Sequence, residues 1–337
     1  MFEMHNRRYT GSKYKLMKWI KELIIENCEG NRFFDVFAGT GVVTECLINE
    51  FDEYVINDFL YSNEVIYKGF LLQEEYSIEK IDKIVINYNK VNKNGLKENY
   101  FSKNFGNKYF NNEDAKLIGY IRENIEILKI NNKINKKEYY ILLASLLFSL
   151  DRISNTCGHY DAYIKGKNIR SSFQYELILP IQLKEGQKID IYRCDSNKLA
   201  KNIKADIAFI DPPYNSRQYS RFYHVLENIT KWEKPDLYGT ALKPKEENMS
   251  EYCKTTAPKI FEDLIRNLDV RYIVVTYNNT YNSKSSSSKN KITLEEIEEI
   301  LQKKGETKSF SRPYRFFNAG KTNLKDHKEY VFITKVK

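Results

Sequence analysis

The chain has 337 residues, 42% of them hydrophobic, enough for a packed core, which excludes an intrinsically disordered chain. Against 45 Asp and Glu stand 54 Lys and Arg, and the resulting charge of +9 favours a polyanionic partner, such as nucleic acid, over an acidic small molecule. Five widely spaced cysteines without a C-x-x-C, and four histidines with no close pair, support neither a disulfide framework nor a zinc site.

The N-terminal run MFEMHNRRYTGSKY has basic residues but no apolar stretch behind them and no small-residue cleavage site, so export is not expected and a cytoplasmic protein is. Leu16, Ile20, Leu23 and Ile24 recur at helical spacing and predict a helix over 12–27, with Ser12 or Thr10 as its N-cap. Residues 32–37 read as a strand running into Ala38-Gly39-Thr40-Gly41 and an apolar-periodic helix over 42–51. A short strand over 54–57 then ends on Asp58. That order, strand, glycine turn, helix, strand, opens a parallel α/β sheet.

From about 75 to 185 the sequence turns rich in Lys, Asn and Ile, with 13 Lys or Arg against 7 Asp or Glu between 80 and 140, and reads as a helical, basic insertion. It contains the longest apolar stretch, 139–150, which is bounded by Glu138 and Asp151 and interrupted by Ser145 and Ser149. A membrane span needs ~20 such residues, so a buried helix over 138–154 is expected and no membrane partner. The following 155–161, with Gly158 among polar residues, suits an irregular turn.

The α/β pattern resumes with an apolar run over 188–194 that stops at Asp195, and another over 205–210 that stops at Asp211-Pro212-Pro213-Tyr214. Helices over 219–231 and 259–268 and a strand over 272–276 follow. The low-complexity stretch 282–291 reads as a surface loop. Thr293 to Glu296 forms a capping box, with Ile292 and Ile297 as a hydrophobic staple. Two last strands, around 309–317 and 329–334, are expected to pair antiparallel. The chain is thus α/β, a mostly parallel sheet with an antiparallel C-terminal strand and a mainly helical insertion at 76–185, the sheet being built from 1–75 and 186–337.

Two stretches carry chemistry. In Asp35-Val36-Phe37-Ala38-Gly39-Thr40-Gly41 the glycines let the backbone turn tightly, and the helix behind favours a negative group. A dinucleotide fingerprint would need a third glycine where Val43 and Thr44 stand, which argues against a pyrophosphate. A carboxylate at the turn and a ribose on Asp58, the polar ends of S-adenosylmethionine, fit instead; a plain tight turn would carry the same residues. The tetrapeptide 211–214 occupies the carboxyl end of a strand, where ligands of open parallel sheets sit. An exocyclic amine on a nucleobase is a weak nucleophile because its lone pair is delocalised into the ring. The Asp211 carboxylate and Pro212 carbonyl can accept its two N–H bonds as it attacks, Pro212 and Pro213 stiffen the loop, and Tyr214 offers a face for an extracted base.

With these motifs in order, the chain resembles the S-adenosylmethionine-dependent DNA adenine methyltransferases of the Dam-like, alpha group, from Arg8 to about Thr230. The resemblance implies a Rossmann-like methyltransferase sheet and transfer of a methyl group to N6 of a flipped adenine in double-stranded DNA, with S-adenosylhomocysteine as product and no metal. It makes Tyr9, Gly11 and Lys13 cofactor-binding through an aromatic-x-Gly-x-Lys element in which Tyr9 stands where Trp is common. Phe37, Gly39 and Gly41 become the cofactor loop, Asp58 the ribose acid, Asp195 the acid on the cofactor's adenine amine, and Asp211, Pro212, Pro213 and Tyr214 the catalytic residues. Asp as first residue of the tetrapeptide is typical of adenine enzymes in the resembling families and Ser of cytosine ones. Cytosine, RNA or a protein amide as acceptor, and a catalytically silent DNA-binding protein, stand as the alternatives.

Beside the pocket, Arg217 and Arg221 are positioned to hold phosphates, and Gln218 or Tyr219 to fill the gap left by a flipped base; a solvated first turn of helix would carry the same side chains. The insertion is the candidate target-recognition region, and a solvated basic face explains its charge equally well. His224 is read as structural, Asp151 as a helix-end charge and Asp161 as a turn former. The expected setting is a restriction-modification system, with a cognate endonuclease acting separately; a solitary enzyme stands as the alternative.

Overall fold

In the computed structural model, residues 2–280, 289–314 and 327–337 are described. Seven strands form one sheet: β1 (Arg32–Asp35), β2 (Glu53–Asn57), β3 (Lys188–Tyr192), β4 (Ile207–Ile210), β5 (Tyr272–Asn278), β6 (Gly305–Pro313) and β7 (Lys328–Val336). Their order is β3-β2-β1-β4-β5-β7-β6, with parallel pairing from β3 through β5 and antiparallel pairing on both sides of β7. A single strand, β7, therefore runs against the rest. β4 and β5 are buried at every residue, as expected of parallel strands covered on both faces.

Side chains alternate across the sheet. Phe34, Val36, Val55, Ala208, Ile210, Ile273, Val275 and Tyr277 share a core with the helices Ser196–Ala200, Ala257–Asn267 and Leu294–Lys304. On the other face Phe33 stacks on Phe51 and Phe209. The chain order jumps between β1 and β4, whose neighbours lie on opposite sides, and this reversal leaves a crevice beyond the carboxyl ends of the two strands.

By its internal contacts the chain divides into two compact units. The sheet unit comprises Lys13–Phe59, Lys184–Gln218 and Asn248–Lys337, and the helical unit Met1–Ser12, Leu60–Leu183 and Tyr219–Glu247. The helical unit takes in more chain than the insertion expected at 76–185, for identifiable reasons. Glu227 accepts the N–H groups of Tyr61 and Ser62, capping the helix Tyr61–Leu71. The buried Arg122 donates to the carbonyls of Ile229 and Thr230 at the end of the helix His224–Lys231. Long-range bonds of this kind leave no local trace in the sequence.

Within the helical unit, Lys136–Ile153 is the buried central helix, started by a capping box of Asn135 and Glu138. Tyr61–Leu71, Asn112–Ile130 and His224–Lys231 pack against it, and Tyr100–Phe105 packs on Asn112–Ile130. The chain from 154 to 187 has neither helix nor strand, and its backbone is satisfied by side chains of the helices and of its own first residues. Asn155 donates to the carbonyl of Ile164 and Asn111 to that of Ile169. Asp114 accepts from the N–H groups of Ser172 and Phe173, and Asn89 pairs both backbone groups of Tyr175.

Several expected boundaries move. The first helix is a 3-10 turn, Tyr14–Leu16, followed by Met17–Asn27, and neither Thr10 nor Ser12 caps it. The second helix stops at Leu47, and the one expected over 219–231 breaks at Tyr223 into Tyr219–Phe222 and His224–Lys231. Most of the loop at 282–291 and the end of the strand at 309–317 lie outside the described residues. All five cysteines are free thiols, and among the described residues no helix is long and apolar enough to cross a membrane.

Candidate active site

The sheet unit gathers its acidic residues at the carboxyl ends of four adjacent strands: Asp195 after β3, Asp58 after β2, Asp35 at the end of β1 and Asp211 after β4. After β1 the chain turns through Gly39 and Gly41, both left-handed with φ of 54° and 77°, a conformation that favours glycine. The turn is held from the next strand, since Ala38 N–H donates to the Asn57 carbonyl and Gly39 N–H to Asp58 Oδ2 at 2.9 Å each. Asn57 completes the frame by donating to the carbonyls of Val36 and Cys194 while its Oδ1 accepts from Cys194 N–H.

Asp35, the first residue of the glycine-turn motif, is 1% exposed. Its Oδ2 accepts from Thr44 Oγ1 at 2.8 Å, while its Oδ1 is buried without a partner. Burial, with repulsion from Asp211 and Asp58, pushes its carboxyl up to about 7 against the opposing Thr44 bond. A buried carboxylate oxygen without a partner at the end of β1 is chemically suited to an ammonium group. Asp195 caps the helix Ser196–Ala200 by accepting from Lys198 N–H, and the Phe37 ring meets Tyr252 edge-on at 5.1 Å. Tyr252 is fixed in turn by its bond to Asn197 Oδ1.

At the tetrapeptide, Asp211 Oδ1 accepts from the Tyr214 hydroxyl at 2.5 Å and from Thr276 Oγ1 at 2.9 Å, and lies 3.0 Å from Lys13 Nζ. None of these bonds reaches Oδ2. The buried Lys13 ammonium also donates to the Tyr214 oxygen at 2.7 Å and sits 4.8 Å from the centre of that ring. Burial would lower the lysine's pKa, but the carboxylates of Asp211 and Glu329 outweigh it and hold it above the ordinary value. Burial and the Asp211 charge push the Tyr214 phenol well above its usual value, so the hydroxyl stays a neutral donor. The ring packs at 4.4 Å against Tyr277, and the Tyr214 carbonyl accepts from Lys291 N–H. Thr276 and Asn57 are participants that lie outside both motifs.

Of the remaining candidates, Arg217 and Gln218 belong to the sheet unit. The Gln218 amide pairs both backbone groups of Ser250, and the Arg217 carbonyl accepts from Cys253 Sγ. Tyr9, Gly11, Tyr219 and Arg221 belong to the helical unit. There Tyr9 stacks on Tyr223 at 4.8 Å and lies 5.3 Å from Tyr219, whose hydroxyl donates to the Thr10 carbonyl. Gly11 is left-handed at φ 87°, and Arg221 donates to the Pro244 carbonyl at 2.6 Å. His224 is buried and bonded through Nε2 to the Tyr160 carbonyl, and burial drives its pKa down to about 3, which fits a neutral structural residue. Asp151 is a buried tie instead of a helix-end charge: its two oxygens accept from Tyr160 OH and Arg8 N–H.

A family described as D12 class N6 adenine-specific DNA methyltransferase matches residues 9–292. The chain is 33% identical over 345 aligned positions to the type II methyltransferase M.NlaIII of Neisseria lactamica, covering 96% of this chain and 98% of that one. It is 33% identical over 290 positions to the modification methylase LlaI of Lactococcus lactis subsp. lactis, covering 81% of this chain and 46% of the relative. Against the type II methyltransferase M.FokI of Planomicrobium okeanokoites it is 32% identical over 356 positions, 96% of this chain and 52% of the relative. The chain thus spans about half the length of the Lactococcus and Planomicrobium proteins and nearly the whole of the Neisseria one.

Proposed function

The chain belongs to the D12 class of N6 adenine-specific DNA methyltransferases, and from that premise we propose that it methylates N6 of a specific adenine in double-stranded DNA as the modification enzyme of a restriction-modification system. The observation that carries the site assignment is the Asp211 carboxylate, anchored through Oδ1 by Tyr214, Thr276 and Lys13 at the end of β4, one strand from the glycine turn. Three donors on one oxygen fix the orientation of the other. Oδ2 then accepts one N–H of the adenine amine and the Pro212 carbonyl the other, concentrating electron density on nitrogen as it attacks. Pro213 stiffens the loop, and the Tyr214 ring supports the extracted base.

S-adenosylmethionine supplies a methyl group already activated by its sulfonium charge. The residues of the sheet unit suited to hold it are the turn at Phe37, Gly39 and Gly41 with Asp35 behind it, Asp58 for the ribose, and Asp195 for the adenine amine. Lys13, given to the cofactor by the resemblance, has its ammonium engaged with Asp211 and Tyr214 and so also steadies the catalytic loop. Arg217, Gln218, Tyr219 and Arg221 contact the DNA around the flipped base, and the helical unit supplies the recognition surface. No step of this chemistry calls on a metal ion. The protein works where its DNA is, in the cytoplasm, with a separate endonuclease reading the same sites.

The test is incubation with S-adenosylmethionine and unmethylated genomic DNA, followed by modification-sensitive sequencing. Methyladenine confined to one short motif is the expected result, and Asp211→Asn should cut transfer by about 10³-fold or more while cofactor affinity changes little. Normal turnover in that variant would remove Asp211 from the mechanism, and modified cytosine would redirect the acceptor.

A further inference from the structure

The stretch 305–337, which contains β6 and β7, has eight Lys or Arg against three Asp or Glu, so five of the chain's nine net positive charges fall in its last 33 residues. Two of these cations stand at the end of the sheet that holds the tetrapeptide. β7 runs against both β5 and β6, so β6 points the same way as β4 and β5 and finishes at the end where Asp211 lies. Thr276, which binds Asp211, is in register with Val331 and through it with Phe310. Arg312 follows two residues farther along β6, and Lys328 opens β7 opposite Pro313. The main chain of Lys328 is tied to the end of β5, its N–H donating to Asn279 Oδ1 at 2.9 Å and its carbonyl accepting from Asn279 N–H at 3.4 Å.

Both side chains are exposed, and neither makes a hydrogen bond or an ion pair among the described residues. Glu329 is in register with Arg312, but it is buried and no ion pair joins the two. At the opposite end of the sheet Arg32 meets Glu53 and Asp190, and Arg271 meets Glu29 and Asp206. Charged residues and Pro on an edge strand can guard it against pairing with another chain, which accounts for Lys308, Arg312 and Pro313 on β6. That role does not account for Lys328, since β7 is an interior strand between β5 and β6. Alternation puts Arg312 on the Thr276 face of the sheet and Lys328 on the other, so the two straddle its rim. Open cations at the carboxyl ends of neighbouring strands, beside a site that takes a polyanion, fit phosphate groups.

We propose that Arg312 and Lys328 hold backbone phosphates of the duplex that carries the target adenine, on the side of the catalytic loop away from the glycine turn. This rests on the reading of Asp211 as the acceptor of the adenine amine. The glycine turn follows β1, on one side of β4, whereas β5, β7 and β6 extend from the other. Three strand spacings of ~4.8 Å put Arg312 about 14 Å across the sheet from Asp211, and two residues of β6 put it about 7 Å farther out. A DNA strand rises about 3.4 Å per nucleotide, so the phosphates concerned lie within about five nucleotides of the flipped base. Contacts of this kind fix the position of the enzyme on the duplex and carry no sequence information, so they strengthen binding without choosing the motif.

The experiment is filter binding of the full chain to duplex DNA at stepped salt, for the wild type, Arg312→Gln, Lys328→Gln, their double variant, Arg312→Lys and Lys335→Gln. Lys335 is exposed and unpaired at the far end of β7, so its replacement removes the same charge away from the rim. Arg312→Gln and Lys328→Gln should each lower the salt slope by about one and the double variant by about two, with Arg312→Lys and Lys335→Gln at the wild-type slope. On a duplex bearing the motif found by sequencing, neutral methylphosphonates placed outward from the adenine should weaken wild-type binding at positions within about five nucleotides where the double variant is indifferent. A double variant with the wild-type slope, an equal fall in Lys335→Gln, or the same methylphosphonate losses in wild type and double variant would overturn the proposal while leaving the methyltransferase reading intact. A wild type that neither binds duplex DNA nor methylates it would overturn both.

Discussion

Asp35 has its carboxyl at about 7 in the folded protein because it is buried, whereas an unfolded chain restores it to near 4. The folded state then holds its proton more tightly than the unfolded one, so this residue's contribution is whole below pH ~4 and declines as pH rises to ~7, by about 1.4 kcal/mol for each pH unit crossed. Asp35→Asn should flatten that slope, a difference visible in urea titrations of cofactor-free protein at stepped pH; parallel slopes would mean that the carboxyl is solvated. The motif alone drew attention to the glycines after Asp35 and to Asp211, because local patterns of turn and strand end are written in consecutive residues. Thr276, which donates to Asp211 from 65 positions away, and Asn57, which binds Val36 and Cys194, come together only when strands pair. Nothing in the composition of β5 or β2 distinguishes them.

At the scale of elements, the central helix Lys136–Ile153 begins at Asn135, whose side chain accepts from Glu138 N–H. Asn135→Ala should cost about 1 kcal/mol, the usual worth of an N-cap. Glu138→Ala should cost more, roughly 2 to 4 kcal/mol, because its buried carboxylate accepts from the N–H groups of both Asn135 and Ser77, and both would be left unbonded. Equal losses in thermal unfolding would argue that the second donor finds water. The capping box at Thr293 was legible because Thr and Glu stand three apart before an apolar run, and the fold keeps it. Asn135 and Glu138 have the same spacing, with two lysines between them where Leu294 and Glu295 stand in the other box. The break at Tyr223 was not legible: no Gly or Pro marks it, and its cause is tertiary, since the Tyr223 hydroxyl accepts from Thr10 N–H and its ring stacks on Tyr9.

For the whole molecule the +9 charge predicts DNA binding that weakens steeply with salt. Arg221→Ala should weaken it about equally for all sequences and lower the salt slope by about one, as loss of one phosphate contact does. A slope unchanged in filter-binding titrations would return Arg221 to its bond with Pro244 as a purely structural residue. The parallel sheet with one reversed strand was largely legible, because strand and helix signals alternate along the chain. The make-up of the helical unit was not, because 219–247 is held there by Glu227, Arg122 and other distant partners. Main-chain carbonyls of Ile164 and Ile169 are held by Asn155 and Asn111, and the N–H groups of Ser172 and Phe173 by Asp114, none of which lies in the stretch 164–170, exposed except at the half-buried Ile169. The path of that stretch is therefore inherited separately from its side chains. Apart from Gly166, left-handed at φ 70°, its residues can drift between lineages at little cost to folding, so that a new surface can be tried on an old scaffold one substitution at a time.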